Sequence, residues 1–136
     1  MESDKKTILL VDDEPHIVHV VRFKLEQAGY HVVVANNGAV AFDMARRSMP
    51  DLIVTDFQMP GGSGLELATR LASQKQTSAI PLIMLTARGH RAPLSELAQT
   101  NVRSLLAKPF SPRHLLEKVT ELLQAAPASP KGSAAA

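Results

Sequence analysis

The sequence predicts a doubly wound α/β fold, a single five-stranded parallel sheet with helices on both faces. Two observations carry that expectation. Five short, nearly continuous apolar runs rich in branched residues read as strands buried on both sides, and stretches with apolar residues at helical spacing alternate with them. A third observation concerns polarity, since four of the runs end in a charged or hydroxyl residue, at Asp12, Asp56, Thr86 and Lys108. Short right-handed connections leave few topologies, and 2-1-3-4-5 is the common strand order at this size.

The first run, Thr7 to Val11, is too short for a helix and reads as a buried strand. Asp12 and Asp13 end it. Glu14 and Pro15 then open the first helix, because acids suit the positive end of the helix dipole and proline suits the first turn. Ile17, Val20, Val21, Leu25 and Ala28 share its apolar face, and Gly29 supplies its stop. After a second strand at His31 to Ala35, Asn36, Asn37 and Gly38 turn the chain into a second helix. Its expected inward positions are Ala41, Met44, Ala45 and Ser48, and Pro50 closes it.

The third strand, Leu52 to Val54, runs into Asp56, after which one proline and three glycines between Phe57 and Gly64 force the backbone off the strand direction. The third helix carries Leu65, Ala68 and Ala72 on one side with Leu67 and Leu71 beside them, and Gln74 to Ser78 forms the connection. The fourth strand, Ile80 to Leu85, ends at Thr86. Ala87 to Arg91 is expected to be loop, with Pro93 in the first turn of a short fourth helix. That helix buries Leu94, Leu97 and Ala98, and Asn101 in the left-handed conformation ends it. The fifth strand, Ser104 to Ala107, ends at Lys108. The last helix has Ser111 as cap and Pro112 in its first turn, and buries Leu115, Leu116, Val119, Leu122 and Leu123.

Residues 1–124 are expected to form one domain and residues 125–136, rich in Ala, Pro, Ser and Gly, a disordered tail or linker. A chain of 136 residues with 45% hydrophobic content can bury one real core. Its net charge of +2 and scattered basic residues argue against nucleic acid or an anionic membrane as a direct partner. The absence of cysteine excludes disulfides, thiol catalysis and cysteine-ligated metal. No run approaches the roughly 20 apolar residues of a membrane span, and the start lacks the apolar core of a signal peptide, so a cytoplasmic protein is expected.

In the order 2-1-3-4-5 the first and third strands are neighbours at the switch point, where ligands bind beyond the carboxyl ends of the strands. Asp12, Asp13, Asp56, Thr86 and Lys108 should therefore share one edge. Two carboxylates about 4 Å apart repel by about 4 kcal/mol at an effective dielectric near 20, so three acids there call for a cation. Magnesium fits best, with manganese as the alternative, because it keeps several waters and commonly uses one or two carboxylates with a substrate phosphate. Lys108 and Thr86 add a point charge and a short donor for phosphate oxygens. The economical chemistry is phosphoryl transfer onto an aspartate oxygen.

The segments ILLVDDEP, LIVTDFQMPGGSGLEL, IMLTA and LLAKPF, in this order and spacing, resemble the receiver domain of two-component response regulators from about Lys6 to Gln124. The resemblance implies a flavodoxin-like fold with Asp56 as phosphoacceptor and a magnesium site formed by Asp12, Asp13, Asp56 and the backbone carbonyl of Gln58. It also implies that Thr86 and Lys108 contact the phosphoryl group, that the Lys108–Pro109 bond is cis, and that the donor is a phosphohistidine on a sensor kinase or phosphotransfer protein. Such a switch changes partner binding through the fourth helix, fifth strand and fifth helix. It assists its own phosphorylation and dephosphorylation without being a turnover enzyme on an external substrate.

The sequence departs from this family at Leu105, where many receivers carry an aromatic ring that moves with the threonine. A switch through Thr86 and the following loop, without an aromatic lever, is the expectation. Gln58 and Arg88 occupy positions that in the family influence phosphate lifetime, and His90 lies in the loop after Thr86. Arg103 stands where regulators that dimerise through the fourth helix and fifth strand carry paired acids, so that dimer is not expected. His16 and His19 sit three apart on the first helix and read as solvated surface residues, with no carboxylate at matching spacing. Two other functions compete: a receiver-like binding module in which phosphorylation is vestigial, and a small phosphatase, whose Asp-x-Asp motif is absent because Gln58 follows Phe57.

Overall fold

The computed structural model of the chain describes residues 5–59, 62–87 and 94–125. β1 (Thr7–Val11), β2 (His31–Ala35), β3 (Leu52–Asp56), β6 (Leu82–Thr86) and β7 (Val102–Ala107) form a five-stranded sheet in the order β2-β1-β3-β6-β7, with every pair parallel. Since β6 and β7 are the fourth and fifth strands of this sheet, the order is the 2-1-3-4-5 read from the sequence. Between Asp56 and the next helix lies a feature the sequence did not suggest. β4 (Gln58–Met59) and β5 (Gly62–Ser63) pair antiparallel as a small hairpin.

β1, β3 and β6 are continuous apolar runs because both faces are covered, whereas the edge strands β2 and β7 are partly exposed, which corrects the expectation that all five runs are buried on both sides. Leu9, Val11, Ile53, Leu82 and Met84 face one core with α2 (Gly38–Ser48) and α3 (Gly64–Ala72), while Ile8, Leu10, Leu52, Val54, Ile83 and Leu85 face the other. The second core is closed by Val21 and Leu25 of α1 (Pro15–Gln27) and by Leu115, Val119 and Leu123 of α5 (Pro112–Ala125). This two-residue alternation is the pleat expressed as two cores.

Local chemistry sets the helix ends. Asn37 caps α2 by accepting from the Val40 N–H at 2.9 Å, and Ser63 with Glu66 forms a reciprocal capping box on α3. The His114 N–H donates to Ser111 Oγ at 3.3 Å at the start of α5. Thr77, fully buried between α3 and β6, donates its hydroxyl to the Leu71 carbonyl at 2.7 Å.

Several sequence expectations need correction. The fourth strand begins at Leu82 rather than Ile80, because Pro81 has no N–H to give the ladder. The fifth begins at Val102 rather than Ser104: Leu82 pairs with Val102 and Ile83 with Ser104, so Arg103 is an extra bulged residue. On α2, Ala41 and Ala45 are buried as expected, but Phe42 joins them, covered by the Arg70 guanidinium 4.0 Å from the ring centroid, while Ser48 is exposed and bonds back to the Met44 carbonyl. Ala28 and Ala98 are exposed, Ala28 because it lies past the end of α1 and Ala98 because α4 (Leu94–Leu97) has already ended. Asn101 does not adopt the left-handed conformation; the single non-glycine residue that does among those described is Met49, at φ 46°. α5 runs to Ala125, one residue into the expected tail. The remaining tail, Arg88, His90, Pro93, the loop as far as Arg91 and the Leu94 side chain lie outside the described residues.

Candidate functional site

Each site residue is placed by backbone pairing at the carboxyl edge of the sheet. The Asp12 N–H donates to the Ala35 carbonyl at 3.1 Å, which continues the β1–β2 ladder one residue beyond β1. The Phe57 N–H bonds to the Leu85 carbonyl at 2.8 Å, and the Lys108 N–H to the Thr86 carbonyl at 2.7 Å. These three bonds bring residues separated by up to 96 positions to one place. Asp12, Asp13 and Asp56 offer carboxylate oxygens that all lie within 4.8 Å of one another.

Lys108 bridges the acids. Its ammonium donates to Glu14 at 2.9 Å, to Asp56 at 3.2 Å and to Asp12 at 3.5 Å. The Asp12 side chain is fully buried and that of Asp56 is 12% exposed, whereas that of Glu14 is 57% exposed. Asp12 also accepts the Glu14 backbone N–H at 3.0 Å, which ties the strand end to the start of α1. Glu14, read from the sequence as a helix opener alone, was missed as a site residue. A signal was present in the residue type, because Glu at an N-cap is less suited than Asp, Ser, Thr or Asn; in the structure its side chain makes no capping bond.

Burial pushes the Asp12 carboxyl above the ordinary carboxylate value, outweighing the Glu14 N–H and the charge of Lys108. Burial likewise raises Asp56, aided by the charge of Asp12 and opposed by Lys108 and the backbone N–H of Gln58. For Lys108 burial acts downward, yet the bond to Glu14 and the charges of Asp12 and Asp56 together hold it above the usual lysine value. Burial of the two carboxylates, more than their mutual repulsion, thus outweighs what one lysine relieves. Their hard oxygen donors suit a magnesium ion, the ligand chemistry it prefers.

Supporting residues complete the site. Thr86 is 7% exposed, and among the described residues no protein group holds its hydroxyl. The Thr55 hydroxyl donates to the Asp56 carbonyl at 3.0 Å. Gly64, another residue the sequence reading did not single out, packs flush against that same carbonyl, and a Cβ there would overlap its oxygen and stand 3.1 Å from the Cα of Phe57. The Lys108–Pro109 peptide is cis. Leu105 is 38% exposed on β7, opposite Met84 in the ladder. His16 and His19 are exposed and stand apart from the acid cluster. Beside Lys108 and Glu14 an apolar cleft of about 600 Å³ opens, lined by Ile17, Val20, Val21, Pro109 and Phe110.

Fold and site together define an α/β domain with an acidic, lysine-bridged centre at the topological switch point of its sheet. The family model described as the response regulator receiver domain matches residues 8–120, and the chain belongs to that family. It is 40% identical over 119 residues to the phosphate regulon transcriptional regulatory protein PhoB of Pseudomonas aeruginosa, covering 88% of this chain and 52% of the relative. It is 37% identical over 128 residues to the alkaline phosphatase synthesis transcriptional regulatory protein PhoP of Bacillus subtilis, covering 91% and 52%. The chain therefore spans about half the length of these curated relatives. Among solved structures, the chemotaxis response regulator CheY4 of Vibrio cholerae matches with a TM-score of 0.78 at 30% identity, over 87% of this chain and 98% of that one. A response regulator protein from Burkholderia multivorans matches with a TM-score of 0.71 at 35% identity, over 87% and 94%. Among the described residues no helix is long and apolar enough to cross a membrane.

Proposed function

We propose that this receiver domain is a phosphorylation-controlled switch that accepts a phosphoryl group on Asp56 in a magnesium-dependent reaction. The observation that carries the reading is the Asp56 carboxylate, within 3.2 Å of the Lys108 ammonium and within 4.8 Å of the oxygens of Asp12 and Asp13. An Asp56 oxygen attacks phosphorus and forms the new O–P bond. The P–N bond of a phosphohistidine breaks, its electron pair stays on the imidazole nitrogen, and that nitrogen takes up a proton. Lys108 balances charge on one phosphoryl oxygen and the Thr86 hydroxyl donates to another. Asp12, Asp13, Asp56 and the Gln58 carbonyl would hold magnesium, which supplies further neutralisation of the transferring charge.

The donor is a sensor histidine kinase or a phosphotransfer protein, for which the apolar cleft next to Lys108 provides a surface within reach of Asp56. A change at Thr86 then alters partner binding through α4, β7 and α5. Incubation with magnesium and acetyl phosphate followed by intact-mass measurement tests the reading. A phosphoryl adduct is expected in the parent and absent in Asp56→Asn; a parent that gains no adduct overturns it.

A further inference from the structure

We infer that Glu14 is a positioning residue for Lys108, the one carboxylate that keeps hold of the lysine when the acid cluster is committed elsewhere. The inference rests on the reading of Asp56 as phosphoacceptor and adds a residue to it. A lysine ammonium has three N–H donors, and in the resting site all three are taken, by Glu14, Asp56 and Asp12. The shortest of the three contacts, at 2.9 Å, goes to Glu14. Asp12 and Asp56 belong to the trio whose oxygens converge for a cation, and Glu14 lies outside it. Cation binding therefore competes with Lys108 for two of its three partners and leaves the third free of that competition.

The location of Glu14 strengthens the case. It occupies the N-cap of α1, where a shorter acid would bond the first N–H groups of the helix, yet its side chain makes no such bond. It reaches instead across 94 residues of sequence to Lys108, while its backbone N–H is fixed to Asp12. An anchor fixed to the strand end on one side and gripping the lysine on the other keeps the ammonium at the rim of the site. From there it can turn its remaining donors to a phosphoryl oxygen as the Asp56 O–P bond forms, the P–O bond of acetyl phosphate breaks and acetate leaves with the electron pair.

Glu14→Asp separates this role from helix capping and from simple charge. It keeps the charge, improves the cap, and is shorter by one methylene, about 1.5 Å, so it loses Lys108. Glu14→Gln loses the charge but keeps the reach and one acceptor oxygen. At saturating magnesium, Glu14→Asp is expected to slow phosphorylation by acetyl phosphate about two- to fivefold, the scale of one partly exposed ion pair, with an unchanged or higher melting temperature. Its magnesium dissociation constant, measured by titration calorimetry, rises by a similar factor because Lys108 then leans wholly on Asp12 and Asp56. Glu14→Gln retains more of the rate than Glu14→Asp. A wild-type rate in Glu14→Asp, or a slower Glu14→Gln than Glu14→Asp, overturns the role. If the parent gains no phosphoryl group, the reading of Asp56 fails; magnesium affinity then decides alone, and an unchanged dissociation constant in Glu14→Asp overturns the role of Glu14.

Discussion

Replacing Asp56 by Asn should stabilise the metal-free domain while removing its response to magnesium. Asn keeps the size of the side chain and removes its charge. At 3.2 Å and an effective dielectric of ~20, the attraction to Lys108 is about 5 kcal/mol, and repulsion from Asp12 within 4.8 Å is about 3 kcal/mol or more. Asp13 adds a smaller repulsion, since it is exposed and screened. The Coulomb contributions leave a net attraction of about 2 kcal/mol or less, and the cost of burying the carboxylate exceeds it, in agreement with the upward shift of the Asp56 pKa. A gain of about 1 kcal/mol is expected, which for a domain of this size raises the melting temperature by about 4 °C.

The pH dependence follows from the same shift. An acid whose folded pKa lies above its unfolded value carries a stability penalty that is complete above the folded pKa and fades as pH falls through it. The advantage of Asp56→Asn should thus be full above the raised pKa of Asp56 and narrow as pH falls through it. Urea denaturation followed by circular dichroism, with EDTA and with magnesium, reads both effects. Magnesium should stabilise the parent and do little for the variant. An Asn variant less stable than the parent in EDTA at neutral pH would refute the reasoning, because it would mean that the lysine outweighs burial and repulsion.

Two further substitutions test the support of the site and the frame. Gly64→Ala forces a Cβ into the Asp56 carbonyl, so it should cost about 1–3 kcal/mol in urea denaturation and slow phosphorylation of Asp56 as its backbone shifts; unchanged stability and rate would show that α3 moves away without disturbing the strand end. Met49→Asn should add about 0.5–1 kcal/mol, because Met49 holds a left-handed conformation at the end of α2 with 46% of its surface exposed, and Asn tolerates that conformation better. The same denaturation series checks it, a loss of stability being the contrary result.

The sheet and most helix faces were legible because they follow from local periodicity. A strand buried on both sides needs an unbroken apolar run, as in Leu52–Asp56, and a helix against a sheet needs a stripe, as in Leu115, Val119 and Leu123. The errors came where a long side chain or a missing donor overrode the pattern. Phe42 is inward because Arg70, from another helix, lies over its ring; the ladder starts at Leu82 because of Pro81; and Arg103 is bulged because its neighbours pair with β6.

By itself, the sequence determined the fold class, the strand order and the gathering of Asp12, Asp13, Asp56, Thr86 and Lys108 at one edge, since strand ends and connection rules are local or topological. Only the tertiary structure decided how that edge is wired. The bond from Lys108 to Glu14, the fit of Gly64 against the Asp56 carbonyl and the excess of buried negative charge depend on separations of a few ångströms between residues far apart in the chain. No periodicity encodes those distances, because they are set by how helices and strands pack, and electrostatics at such range is decided by the packing.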